Sequence, residues 1–180
     1  TTRSDNLNLS LYNHYKAGAQ HPDSIKSHNL DTLEDPIINI KDFDRLIQSY
    51  KIGKPMTVYS GLHYHPIEYR GRIMHNPAYL STSLDPNVAK DFGMNYDEYD
   101  ENGEAIPLKT LLRLRLSNQH SGLYLGHGSV SPEQHEILLP RNTKYQLGQK
   151  PTHIIHGIFK NHHNDKSRKM IVHVWNGRIL

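Results

Sequence analysis

Three short segments carry residue types able to do chemistry in this 180-residue chain. They are Thr57-Val58-Tyr59-Ser60-Gly61, Tyr79-Leu80-Ser81-Thr82-Ser83, and Gln134-His135-Glu136 running into Ile-Leu-Leu-Pro140. Taken singly, a Ser-Thr-Ser run is ordinarily a strand with satisfied hydroxyls, and a Gln-x-Glu pair is ordinarily a solvated turn. The chain has no cysteine, which removes disulfides, thiolate metal sites and every thiol nucleophile. Reactive groups must then be carboxylates, hydroxyls, cations and histidines. His63/His65 and His162/His163 are paired, but no carboxylate or further His completes a ligand pattern, so no metal is expected.

The order and spacing of the three segments resemble the R-S-E class of mono-ADP-ribosyltransferases. That family carries an aromatic-Arg-Gly strand, a Ser-Thr-Ser strand, and (Glu/Gln)-x-Glu ahead of a hydrophobic strand that often runs into Leu-Pro. Residues 79–83 match the second mark, and Gln134-x-Glu136-Ile-Leu-Leu-Pro140-Arg141-x-Thr143-Lys144 matches the third. The resemblance runs from about Ile40 to Leu147 and is nearest to Alt-type phage transferases and exoenzyme-like toxin domains. The first mark departs from the pattern, because Ser60 stands where the family has its NAD-gripping Arg.

The resemblance implies an NAD-dependent enzyme that breaks the nicotinamide–ribose bond and passes ADP-ribose to a target protein. Its site would use NAD as substrate and no metal. Glu136 is then the carboxylate that stabilises positive charge on the ribose, as in other glycosidic cleavages. Ser81 would lock its rotamer, and Gln134 would address the acceptor. On an extended segment Gln134 and Glu136 would point the same way, and Gln there favours an acceptor other than arginine; Glu133 is the competing carboxylate for an arginine acceptor. Ser60, Gly61, Thr82, Ser83, Phe92 and Arg72 are the implied NAD-binding positions, with Gly61 offering its main chain to the nicotinamide amide. Arg72 or Arg70, or else His63 and His65, are the replacements for the missing cation. Two alternatives stand beside transfer: an NAD glycohydrolase, and a degenerate domain that binds a partner protein.

The elements that must position these groups follow from pattern. Ile40, Phe43, Leu46, Ile47 and Tyr50 recur at helical spacing and predict a helix stopped by Gly53 and Pro55. A strand is expected from Met56 to Leu62. Asp85-Pro86 predicts a capped helix through Phe92. Residues 63–78 read as turns, 95–104 as a solvated loop or hairpin tip, and Gly122–Gly128 as a turn-rich passage. Further strands are expected at Leu112–Leu116, Ile137–Leu139, Tyr145–Leu147, Ile154–Phe159 and Met170–Trp175, with a hairpin loop at 161–169. Early helices and late strands predict an α+β fold, and the resemblance makes it ADP-ribosyltransferase-like, with N-terminal helices on two mainly antiparallel sheets flanking an NAD cleft. One catalytic domain is expected over 1–180, with 1–35 as a helical and loop lead-in.

Composition sets outer limits. The chain is 36% hydrophobic with net charge +3 from 21 basic and 18 acidic residues, too slight a balance to argue for a nucleic-acid partner. No apolar run reaches the ~20 residues of a membrane-spanning helix. Fourteen histidines would raise the charge to about +10 near pH 6.5. The start Thr1-Thr2-Arg3-Ser4, with neither initiator Met nor apolar leader, reads as a piece of a longer or processed polypeptide. Its compartment cannot be read from the chain; the resemblance implies delivery, as a secreted toxin or packaged in a virion, to a host cytoplasm.

Overall fold

A computed structural model describes residues 40–125, 134–160 and 167–180. The lead-in 1–35, Glu133, the His162/His163 pair and most of the expected 161–169 loop lie outside these residues. The first described element, α1 (Ile40–Ser49), is the predicted helix. It buries Ile47 completely, whereas Leu46 and Tyr50 are exposed, so its described contact face is narrower than the apolar stripe suggested.

Ten strands follow among the described residues: β1 (Met56–Gly61), β2 (Ile73–Asn76), β3 (Leu80–Ser83), β4 (Asn95–Tyr99), β5 (Ala105–Leu116), β6 (Leu123–Tyr124), β7 (Glu136–Leu139), β8 (Thr143–Leu147), β9 (His153–Lys160) and β10 (Ser167–Ile179). A second helix, α2 (Pro86–Phe92), sits between β3 and β4 with Asp85 at its N-cap, accepting from Asn87 N. The ladder runs β2-β8-β10-β5-β1-β3-β7-β6, with β4 on β5 and β9 on β10. Every pairing is antiparallel except β10 with β5, as an α+β domain of hairpins requires.

The two expected sheets are joined, but barely. Between β1 and β3 the register holds a single pair, Tyr59↔Ser83, whereas β1 and β5 are paired over six residues. The molecule therefore has a large wing ending at β1 and a small wing of β3, β7 and β6. The main core fills the space between them, with Val58, Leu112, Leu114, Leu116, Ile137, Leu139 and Trp175 all buried.

Three stretches differ from expectation. The turn region 63–78 contains a 3-10 turn at Pro66–Tyr69 and the edge strand β2, which pairs with β8. The acidic stretch 95–104 is half strand: β4 pairs with β5, and only the tip turns, where Asp100 Oδ1 accepts from Asn102 N and Glu104 N at 2.9 Å each. The turn-rich passage after Gly122 opens with β6. In each case the ladder supplies hydrogen bonds that polar local sequence does not advertise.

Candidate functional site

The Ser-Thr-Ser strand and the Gln-x-Glu segment meet because β3 and β7 are antiparallel partners, with Ser83↔Glu136, Thr82↔Ile137 and Ser81↔Leu138 in register. Side chains alternate along each strand, so Ser81, Ser83 and Glu136 project from one face. Ser81 Oγ donates to Glu136 Oε1. Ser81 is exposed and Glu136 half-buried, so a carboxylate held by a hydroxyl stands open to solvent at the small wing.

The neighbouring hydroxyls do another job. Thr82 Oγ1 donates to Ile137 O at 2.6 Å, and Ser83 Oγ donates to Gln134 O at 2.6 Å while accepting from Asp85 N. Both residues are buried. They stitch β3 to β7 and to the start of α2, so their hydroxyls hold the frame around Ser81 and Glu136. Gln134 is half-buried, and His135 has φ 45°. The chain is therefore not extended through 134–136, and strand alternation does not put Gln134 and Glu136 on one face as their spacing suggested. His135 Nδ1 lies 3.3 Å from Tyr124 OH.

Ser60 lies on the opposite face of β1 from Tyr59, on the core side with Val58, and is 8% exposed. Its Oγ donates to Ser81 O at 2.9 Å. This bond has a consequence for Gly61. Leu62 N donates to Thr110 O, so even-numbered residues of β1 spend their main-chain groups on β5 and odd-numbered ones face β3. Continued pairing would set Gly61 against Ser81, but the register stops at Tyr59↔Ser83 and Ser60 takes the Ser81 carbonyl. The N–H and C=O of the buried Gly61 thus lie on the β3 side of β1, one step beyond the last registered pair.

Gly61 also has a structural reason to be glycine. A Cβ there would lie 2.3 Å from Gly93 N and 2.6 Å from Ala89 O, so the absence of a side chain lets α2 pack directly on β1. Phe92, at the end of α2, is 46% exposed and presents its ring outside the core. Arg72 precedes β2, at the opposite edge of the ladder from Glu136, and both Arg72 and Arg70 are exposed. Arg72 bonds through its carbonyl to Leu147 N; no described hydrogen bond or ion pair brings either guanidinium to Ser60, Ser81 or Glu136. His63 and His65 flank the far end of β1, where His65 packs edge-on against Tyr96 at 5.0 Å. Among the described residues no group of three His, Asp or Glu could hold a metal.

One functional-looking residue escaped sequence reading as a structural lock. Arg141 makes a two-point ion pair with Asp44, its Nε lying 2.9 Å from Oδ1, and Tyr79 OH donates to the same Oδ1 at 2.8 Å. Burial and the Asp44 carboxylate push the Tyr79 phenol well above its usual range. This trio clamps α1 onto the small wing beside Ser81. Its signal in sequence was the Pro140-Arg141 pair after β7, which had no visible partner.

The residues singled out in the sequence are thus a solvent-facing Glu136 held by Ser81 on the small wing, and a buried Gly61 packed against α2 on the large one. The same fold occurs in C3stau2 from S. aureus, solved with NAD, at 16% identity and a TM-score of 0.52 over 98% of this chain and 87% of that one. It also occurs in the ATR domain of Salmonella SpvB, at 19% identity and a TM-score of 0.56 over all of both chains. C3larvin toxin, an ADP-ribosyltransferase from Paenibacillus larvae, matches at 19% identity and a TM-score of 0.50 over 99% of this chain and 82% of that one. No curated protein matches the chain by sequence. The fold is thus that of the ADP-ribosyltransferase toxins. Residues 2–174 match the model of the ADP-ribosyltransferase exoenzymes, and the chain belongs to that family of NAD-dependent mono-ADP-ribosyltransferases.

Proposed function

We propose that the chain is a working transferase in which Glu136 and Ser81 carry the bond-breaking step, despite the serine at position 60. The observation that supports this most is the Ser81–Glu136 hydrogen bond, open to solvent on the small wing. NAD supplies an ADP-ribosyl group whose glycosidic bond to nicotinamide breaks with positive charge gathering on the ribose. A carboxylate already held in one rotamer stabilises that charge without reorganising first. Glu136 does this, and Ser81 is the positioning residue behind it. Gly61 N–H and C=O hold the carboxamide of nicotinamide, and the exposed Phe92 ring covers it. Thr82 and Ser83 serve the site by fixing the two strands, and Ser60 by diverting the Ser81 carbonyl from Gly61.

Gln134 addresses the acceptor, which we assign to a side chain other than arginine. The acceptor belongs to a target protein in a host cell, to which the enzyme is delivered as a toxin. The bend at His135 gives this position an aim of its own, independent of the strand that fixes Glu136.

Nicotinamide release from NAD, with and without host-cell lysate, tests the reading. The expected result is release that rises with lysate, and a fall of at least ~100-fold in Glu136→Gln with an unchanged melting temperature. Equal release without lysate identifies a glycohydrolase. Absence of release identifies the partner-binding domain, the reading that loss of the family's Arg at Ser60 favours. Mass spectrometry of the labelled protein then reads the acceptor, and an adduct on arginine overturns the role given to Gln134.

A further inference from the structure

A concavity with a volume of about 710 Å³ lies on the large wing, lined by neither Ser81 nor Glu136. Arg113, Arg115 and Arg178 line it together with Gln146, Asn176 and His120. The register explains the convergence. Asn176 faces Arg113 across β10 and β5, and Arg178 faces Gln146 across β10 and β8. Arg113 and Arg115, two residues apart on β5, share a face.

Two of these cations are oriented by neutral partners. Arg113 Nε donates to Asn176 Oδ1 at 2.7 Å, and Arg178 Nη2 donates to Gln146 Oε1 at 2.9 Å. His120 accepts the Ser117 N–H at Nδ1, which leaves the proton of the neutral ring on Nε2. Amide acceptors orient a guanidinium fork without cancelling its charge. No carboxylate lines the groove among the described residues, while the acidic run Asp97–Glu104 lies in the β4–β5 hairpin. Pre-aimed, uncompensated guanidinium groups in a concave site are the arrangement that recognises phosphoryl oxygens two at a time. The volume falls within the range of small-molecule sites, which favours a compact ligand over a flat protein surface.

We infer that this groove binds an anion with linked phosphoryl groups, held chiefly by Arg113 and Arg115 with Arg178 at its far side. Such an anion has two sources, the diphosphate of NAD itself or a separate oligophosphate, and the experiment separates them.

Tripolyphosphate is titrated calorimetrically into the protein in 150 mM salt, alone and with saturating NAD, using Glu136→Gln to prevent turnover. Binding is expected, with affinity at least tenfold weaker in Arg113→Gln/Arg115→Gln and unchanged in Lys54→Gln, which removes an exposed cation elsewhere. Competition by NAD identifies the dinucleotide's own diphosphate as the occupant, and undiminished binding identifies a second ligand. No binding to the parent protein, or equal binding by the double variant with a native fluorescence spectrum for its one tryptophan, overturns the inference. The readout is independent of Glu136 chemistry, so its failure leaves the transferase reading standing.

Discussion

Two serines of the site lie within one hydrogen bond of each other and do opposite kinds of work. Ser81 Oγ spends its proton on the glutamate, whereas Ser60 Oγ spends its proton on the Ser81 carbonyl. Ser81→Ala frees the Glu136 rotamer, and we expect kcat for nicotinamide release to fall about tenfold or more, with KM for NAD changed far less. Ser60→Ala leaves the Ser81 carbonyl without the part-buried side-chain donor it now has, at a cost of about 1 kcal/mol, which lowers the melting temperature by roughly 2–4 °C in a chain of this size. Thermal melts and steady-state kinetics on the same two proteins separate the roles. A Ser60→Ala protein that melts normally would show that the hydroxyl is not the stitch described here. The residue types of this pair were legible in the sequence, and so was the Glu136–Ser81 partnership that the family resemblance implied. What Ser60 does was not, because a buried hydroxyl bonding a main-chain carbonyl leaves no trace in residue spacing.

At the level of elements, the contact of α2 with β1 depends on backbone approaching backbone at Gly61. A methyl group there meets Gly93 N and Ala89 O, main-chain atoms that cannot swing aside. Gly61→Ala should therefore destabilise by about 1–3 kcal/mol, the range for overpacked sites. Gly53→Ala makes a matched control, since nothing lies within 4 Å of its added Cβ, and should stay within about 0.5 kcal/mol of the parent. Urea unfolding followed through Trp175, which is buried, measures both. Equal stabilities for the two variants would mean that α2 does not press on β1. The helices and the long strands showed in the sequence through their periodicity. Strands β2, β4 and β6 did not, because they are short, polar or at an edge, and gain their regularity from partners distant in the chain. The bend at His135 likewise hid from a spacing argument that assumed an extended segment.

Across the whole molecule, histidines give stability a pH dependence whose sign follows from burial. His173 on β10 is 9% exposed. Loss of solvation pushes its pKa below the ordinary 6.5; Glu98, 3.9 Å away, opposes this, while His65 and His156 add to the lowering. His63 shifts the same way, through desolvation and then the Lys109 ammonium. Above pH 6.5 these rings are neutral whether the chain is folded or not, and they cost nothing. As pH falls through 6.5, the unfolded chain takes up protons that the folded rings refuse, so the unfolded state gains and the native state loses stability. The loss grows until the depressed folded pKa values are passed. Melting temperature should therefore fall between pH 7.5 and pH 5.5, a window in which ordinary carboxylates and lysines barely titrate. His173→Gln should flatten that slope, because it removes one of the rings that refuse a proton. A slope of opposite sign would mean that the Glu98 attraction outweighs desolvation. The His-rich composition, unreadable as a motif, thus acquires a physical consequence once the fold brings His65 and, on β9, His156 close enough to act on His173 of β10.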